Sequence, residues 1–147
     1  MTITMTTADE ARERNERAWH ASGAALYGGR IDEFLEYWQP DGRFEAAYPV
    51  AGFPAVVEGR EALAAVFGGM SSLATKIEVH DVRFHQTGDP DVAFVEERMV
   101  ADLVGGGRYE NRLVIRVTFR DGLIAELFEY FGQIAHAELA AYAGAAA

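Results

Sequence analysis

The second half of the chain is written in a two-residue period. Residues 77–85 and 108–120 alternate apolar and polar positions, as strands with one buried face do, while 92–104, whose two faces are both mixed, and 123–131 also read as strands. The alternation is cleanest in 108–120. Tyr109, Asn111, Leu113, Ile115, Val117 and Phe119 share one face, and Glu110, Arg112, Arg116, Thr118 and Arg120 mostly fill the other. Turn residues separate these runs: Gly88-Asp89-Pro90-Asp91, Gly105-Gly106-Gly107, and Asp121-Gly122, a two-residue hairpin signal.

The first half follows a helical period. Residues 8–28 form a predicted helix, anchored by Trp19 and Leu26, with capping-box spacing between Thr7 and Glu10 and Gly28-Gly29 at its end. A short helix follows over 31–38, with Phe34, Leu35 and Trp38 on one face, and Pro40-Asp41-Gly42 is expected to stop it. Residues 43–50 read as a strand with Phe44, Ala46 and Tyr48 on one side. Residues 56–59 read as a brief strand, 60–73 as a third helix, and the Ala-rich tail 133–147 as a final helix or a frayed end. Helices and strands come in blocks, so the fold class is α+β: a strongly curved antiparallel sheet wrapped over about three N-terminal helices, enclosing a cavity. The 147 residues make one domain, with 1–7 and 138–147 as candidate frayed ends.

Half of the residues are hydrophobic, enough for a substantial core, and the formal net charge is −10. That charge repels nucleic acid and anionic membranes, so neither is an expected partner. The absence of cysteine removes disulfides, thiolate nucleophiles and cysteine-ligated zinc. No His and carboxylate set has metal-ligand spacing, and Gly105-Gly106-Gly107 lacks the Lys-Ser/Thr of a phosphate loop. With no signal-type or spanning segment, the expected location is the cytoplasm.

Two sets of residues carry a family resemblance. The stretch from Ala25 to Gly42, with Gly59-Arg60-Glu61-Ala62-Leu63, resembles the opening of nuclear transport factor 2-like (SnoaL-like) proteins. Gly88-Asp89-Pro90, Phe94-Val95-Glu96, Gly107-Arg108-Tyr109-Glu110-Asn111, Phe119-Arg120-Asp121-Gly122-Leu123-Ile124 and Glu129-Tyr130-Phe131 are similar to the phenazine-biosynthesis A/B proteins. The resemblance implies a dimeric cone and, in many members, acid–base chemistry without a cofactor. It also implies a proton-donating acid on the last strand, at Glu129. The third-helix His of the phenazine proteins has no counterpart between Leu63 and Ser72, where the nearest position is Val66. The ketosteroid isomerase positions are occupied by Ser22, Ala46 and Ile115, and the limonene epoxide hydrolase cluster is not evident.

The candidate chemistry centres on Glu129, whose face is shared with Leu127 and Phe131. A carboxyl in such a pocket has a raised pKa and serves as a general acid or base near neutral pH. The alternative is a surface glutamate on an edge strand. Tyr109 and Asn111 share the inward face of the neighbouring strand and suit a substrate oxygen, unless they form a buried pair satisfied by backbone. Tyr48, Phe44, Trp19 and Ile115 complete the expected substrate-binding set, with Tyr48 equally suited to the core. One of Glu96 and Glu97 faces in. His80 and His85, five apart, face opposite sides by alternation, so at most one enters the cavity; His20 and His136 have no distinguishing context. Outward-facing Phe128 and Tyr130 are the expected homodimer surface.

The functional expectation is a cofactor-independent isomerase, cyclase or condensation-promoting enzyme of secondary metabolism, acting on a small carbonyl-bearing hydrophobic substrate. The alternative is a non-catalytic small-molecule binder or accessory protein.

Overall fold

The computed structural model describes residues 6–146. The element order is α1 (Thr7–Tyr27), α2 (Ile31–Glu36), β1 (Trp38–Ala46), β2 (Val56–Glu58), α3 (Arg60–Ser71), β3 (Ala74–Gln86), β4 (Val92–Leu103), β5 (Arg108–Arg120), β6 (Leu123–Phe131) and α4 (Gln133–Ala146). The tail is thus helical to Ala146. Of the ends expected to fray, residues 1–5 and 147 lie outside the described residues. Among the described residues no helix is long and apolar enough to cross a membrane.

The six strands form one curved, unclosed sheet in the order β2-β1-β6-β5-β4-β3. β3 to β6 are the expected antiparallel meander. The sheet is nevertheless mixed, because β1 pairs with β6 in parallel while pairing with β2 antiparallel. Asp121 and Gly122 both adopt positive φ (53° and 79°), which lets a two-residue turn join β5 to β6 with Arg120 opposite Leu123.

Three local readings change. The cap of α1 lies one residue earlier than expected: the Thr6 hydroxyl accepts the Asp9 N–H at 3.1 Å, and the Thr6 N–H donates to the Asp9 carboxylate at 3.4 Å. The Pro40-Asp41-Gly42 segment does not terminate a helix; it forms a bulge inside β1. Trp38 pairs with Ile124 and Arg43 with Glu126, so an advance of five positions along β1 matches an advance of two along β6. A bulge tolerates proline because no ladder N–H is needed there. Gly42 is required because a Cβ would meet the Trp38 ring at 2.5 Å. Trp38, fully buried, therefore belongs to the strand and not to the face of α2.

The third change is a bulge in β3 between His80 and Arg83, where Asp81 has φ 57°. One extra residue inverts the alternation. His80, opposite Arg98, and His85, opposite Phe94, therefore share the outer face, where they contact Glu78 (3.1 Å) and Glu96 (2.6 Å). Neither enters the cavity.

The main core joins the concave face of the sheet to the helices: Trp19 and Ala25 of α1, Phe34 of α2, Leu63 of α3, and Trp38, Phe44, Val95, Ile115, Val117, Ile124 and Leu127 of the strands. A second cluster, Ala101, Leu103, Tyr109 and Leu139, seats α4 against the ends of β4 and β5.

Candidate functional site

Between the concave sheet and the helices lies a cavity of about 100 Å³. Its wall is mostly apolar, with contributions from Trp19, Leu26, Phe34, Phe44, Phe53, Phe67, Ile115 and Leu127 among others. The polar groups on it are Ser22, Tyr27, Ser71, Glu97, Tyr109, Glu129 and His136.

Strand register places the carboxylates. Glu129 of β6 lies between Ala46 of β1 and Ile115 of β5, and Ile115 in turn pairs with Val95 of β4. Ala46, Ile115 and Val95 are all buried, so Glu129 is the polar member of an otherwise apolar inward row. The next row is Phe131, Leu113 and Glu97, which brings Glu97 to the same face one row along and two strands over. Glu97 is the inward member of the Glu96–Glu97 pair and is buried; Glu96 is outside.

The two acids differ in their partners. Tyr27, at the end of α1, donates its hydroxyl to Glu97 at 2.8 Å. Burial raises Glu97 above the usual carboxylate range, and the tyrosine bond opposes that rise. Burial, then the adjacent Glu97, pushes the Tyr27 phenol well above its ordinary value. Glu129 has no side-chain hydrogen bond or ion pair among the described residues. Burial first, and repulsion from Glu97 second, push its carboxyl from 4.5 up to about 8. At neutral pH it is an uncharged acid whose accessible surface is the cavity wall.

Tyr109 and Asn111 divide differently from the expectation. Tyr109 lines the cavity, and burial pushes its phenol up to about 12. Asn111 is buried outside the cavity wall, with its amide committed to the protein. Its NH2 donates to Tyr109 Oη (2.9 Å) and to the Gly132 carbonyl (3.0 Å), and its oxygen accepts the Gly132 N–H (2.8 Å). Asn111 thus holds Tyr109 and ties the end of β6 to β5, in place of the expected ligand contact. Tyr109 accepts that bond, which leaves its own O–H free to donate.

Phe44, Trp19 and Ile115 line the cavity. Tyr48 does not. β1 ends at Ala46, so strand alternation no longer directs Tyr48, which is 56% exposed and packs edge-on against Tyr130 on the outside at 6.0 Å.

Tyr27 and His136 join the cavity wall without having been expected there, and Glu97 is the inward member that the sequence leaves undecided between Glu96 and Glu97. Tyr27 lies eight residues after Trp19, on the helical stripe that Trp19 and Leu26 define. Residues 93, 95, 99, 101 and 103 are all apolar, so the odd-numbered face of β4 was the inward one and Glu97 its exception. For His136 the Ala-rich α4 offers no comparable signal. Its ring is 4% exposed, lies in the cavity wall, and is pushed by burial down to about 4. Among the described residues no three His, Asp or Glu side chains group as a metal site requires.

The model of the SnoaL-like domain matches residues 17–127, ending just before Glu129. The chain belongs to the SnoaL-like domain family. Solved structures share the fold. A Bacillus subtilis protein provisionally named an isomerase superposes with a TM-score of 0.80 at 17% identity, covering 88% of this chain and 94% of that one. A phenazine biosynthesis-related protein from Pseudomonas aeruginosa gives 0.75 at 18% identity, covering 96% and 89%. A Mycobacterium tuberculosis protein solved with estradiol-17β-hemisuccinate gives 0.74 at 18% identity, covering 83% and 96%. At these identities the likeness is one of fold. No curated protein sequence matches the chain.

Proposed function

We propose that this SnoaL-like protein is a cytoplasmic, cofactor-independent isomerase or cyclase of secondary metabolism, acting on a small, hydrophobic, carbonyl-bearing substrate. The observation that carries this reading is Glu129: a carboxyl without protein partners, on an apolar cavity wall, held protonated at neutral pH. Glu129 delivers its proton to the substrate and, as the carboxylate, recovers one from another substrate position. The net change is a proton shift with no proton gained or lost. The Tyr109 hydroxyl, anchored by Asn111, donates to the substrate oxygen as charge develops on it. Supporting this reading, the similar Mycobacterium tuberculosis structure holds a small molecule, estradiol-17β-hemisuccinate.

A second reading, binding without turnover, is favoured by α3. That helix presents Phe67, Met70 and Ser71 to the cavity, with no second acid or base. Native mass spectrometry on protein from its producing host, with identification of the released molecule, separates the two. On the catalytic reading, Glu129→Gln folds and keeps its ligand but does not convert it. Conversion at the wild-type rate by Glu129→Gln would refute that role, and a ligand left unchanged by the wild type would establish the binder.

The homodimer surface is part of the same proposal. On the outer face Phe94, Arg116 and Phe128 stand in one cross-strand row, and Glu96, Val114 and Tyr130 in the next. Arg116 lies over the Phe128 ring at 4.7 Å, and Phe128 meets Tyr130 edge-on at 5.3 Å. Val114 and Phe94 are each 37% exposed beside them. An aromatic patch of this kind suits a second copy of the chain.

A further inference from the structure

The cavity wall carries acids and no cation. The chain has 13 lysines and arginines, yet none of them lines the cavity among the described residues. The histidine on the wall, His136, is held neutral by burial. Against this stand two carboxyls, Glu97 and Glu129. Repulsion from Glu97 is one of the two causes that keep the proton on Glu129, so Glu97 is the group that carries the charge. The Tyr27 hydroxyl, donating to Glu97 Oε1 at 2.8 Å, favours that ionised form. A negative charge therefore sits on a mostly apolar wall with no protein cation to offset it.

That carboxylate is also short of partners. An ionised carboxylate has about four acceptor positions, and Tyr27 fills one. Glu97 Oε2 has no hydrogen-bond partner among the described residues, yet it is not sealed in the protein. The sealed side-chain atoms without a partner are Trp38 Nε1 and the two His136 nitrogens. Glu97 is 5% exposed, its side chain is inward by register, and it lines the cavity, so the surface that Oε2 keeps opens there. A buried anion without a counter-charge is costly, and glutamine would accept the Tyr27 bond without that cost. Folding has already stripped water from Glu97, so a cation docking there meets only its own desolvation. An anionic ligand would meet repulsion with no lysine or arginine to offset it. We infer that the molecule bound in this cavity is a cationic amine, whose ammonium N–H groups donate to Glu97 while its apolar body lies against Trp19, Phe44 and Ile115. The ammonium does not compete with the proposed carbonyl, because Glu97 lies one row along and two strands over from Glu129. The inference rests on the cavity being the proposed ligand site and is independent of proton transfer by Glu129.

Benzylammonium, ethylbenzene and phenylacetate are the probes: one phenyl ring whose side chain ends in an ammonium, a methyl or a carboxylate. Binding at neutral pH is followed by NMR of protein carrying 13C at its glutamate carboxyls. Benzylammonium is expected to bind about tenfold more tightly than ethylbenzene and to move the Glu97 signal, and phenylacetate to bind most weakly. Glu97→Gln, which keeps the side-chain shape and the Tyr27 bond, is expected to weaken benzylammonium about tenfold and to leave ethylbenzene nearly unchanged. Equal benzylammonium binding by wild type and Glu97→Gln would overturn the inference, as would phenylacetate binding as tightly as benzylammonium. Ethylbenzene binding would in either case leave the cavity standing as a ligand site. If no probe moves any cavity signal, the cavity is not a ligand site and the proposed activity falls too. A fully active Glu129→Gln would refute proton transfer alone. Should Glu97→Gln fail to fold, the wild-type order of affinities and the Glu97 signal decide.

Discussion

Replacing Glu129 by glutamine should change how stability depends on pH, in a direction set by its surroundings. Burial and Glu97 raise its carboxyl from 4.5 to about 8. Between those values the folded chain holds a proton that the unfolded chain has released. The stability associated with this proton is fully present below pH 4.5 and is lost as pH rises through about 8. At about 1.4 kcal/mol per pH unit the loss is at most about 5 kcal/mol. Glutamine is neutral and nearly isosteric, so it removes this dependence. The unfolding free energy of Glu129→Gln minus that of the wild type should therefore climb by a few kcal/mol across this window and be flat on either side. Contributions from distant titrating groups cancel in that difference. Urea unfolding between pH 5 and 9, followed by fluorescence of the buried Trp19 and Trp38, measures it. A difference that is constant, or that falls as pH rises, would show that Glu129 is an ordinary carboxylate and refute the reasoning.

Other outcomes follow from the same contacts. Glu97→Gln removes the like charge, so the Glu129 pKa should fall below about 8 yet stay above 4.5, because burial is the larger cause; 13C-carboxyl NMR reads it. Asn111→Ala strips both Gly132 backbone groups of their side-chain partner and should cost about 2–3 kcal/mol in urea unfolding; an unchanged midpoint would mean that Asn111 does not tie β5 to the end of β6. Light scattering should give the wild type twice the 16.1 kDa chain mass, and Tyr130→Asp the single mass; a wild-type monomer would remove the proposed dimer face.

How much was legible in the sequence depended on which rule a segment obeys. β5 and β6 match their expected bounds because alternation and the Asp121-Gly122 turn are local signals. The inward side of Glu129 follows from the same alternation. The bulges broke that rule: one extra residue at Asp81 put both His80 and His85 outside, and the bulge at Pro40-Asp41-Gly42 extended a strand through an apparent stop. Tyr48 failed because alternation ends where the strand does. Pairing of β1 with β6 in parallel joins segments some eighty residues apart, and no local pattern encodes it. His136 was hidden for a related reason: an Ala-rich helix has no strong apolar stripe, so which residue meets the cavity is decided by where α4 docks.

Exchange of a proton between Glu129 and a bound small molecule leaves a label that heavy water reveals. The molecule released from Glu129→Gln would be incubated with wild-type protein in D2O, and its mass and connectivity determined. An isomerised product carrying one solvent deuterium on carbon is expected from the wild type and not from Glu129→Gln. A molecule recovered unchanged and without deuterium from the wild type would contradict it.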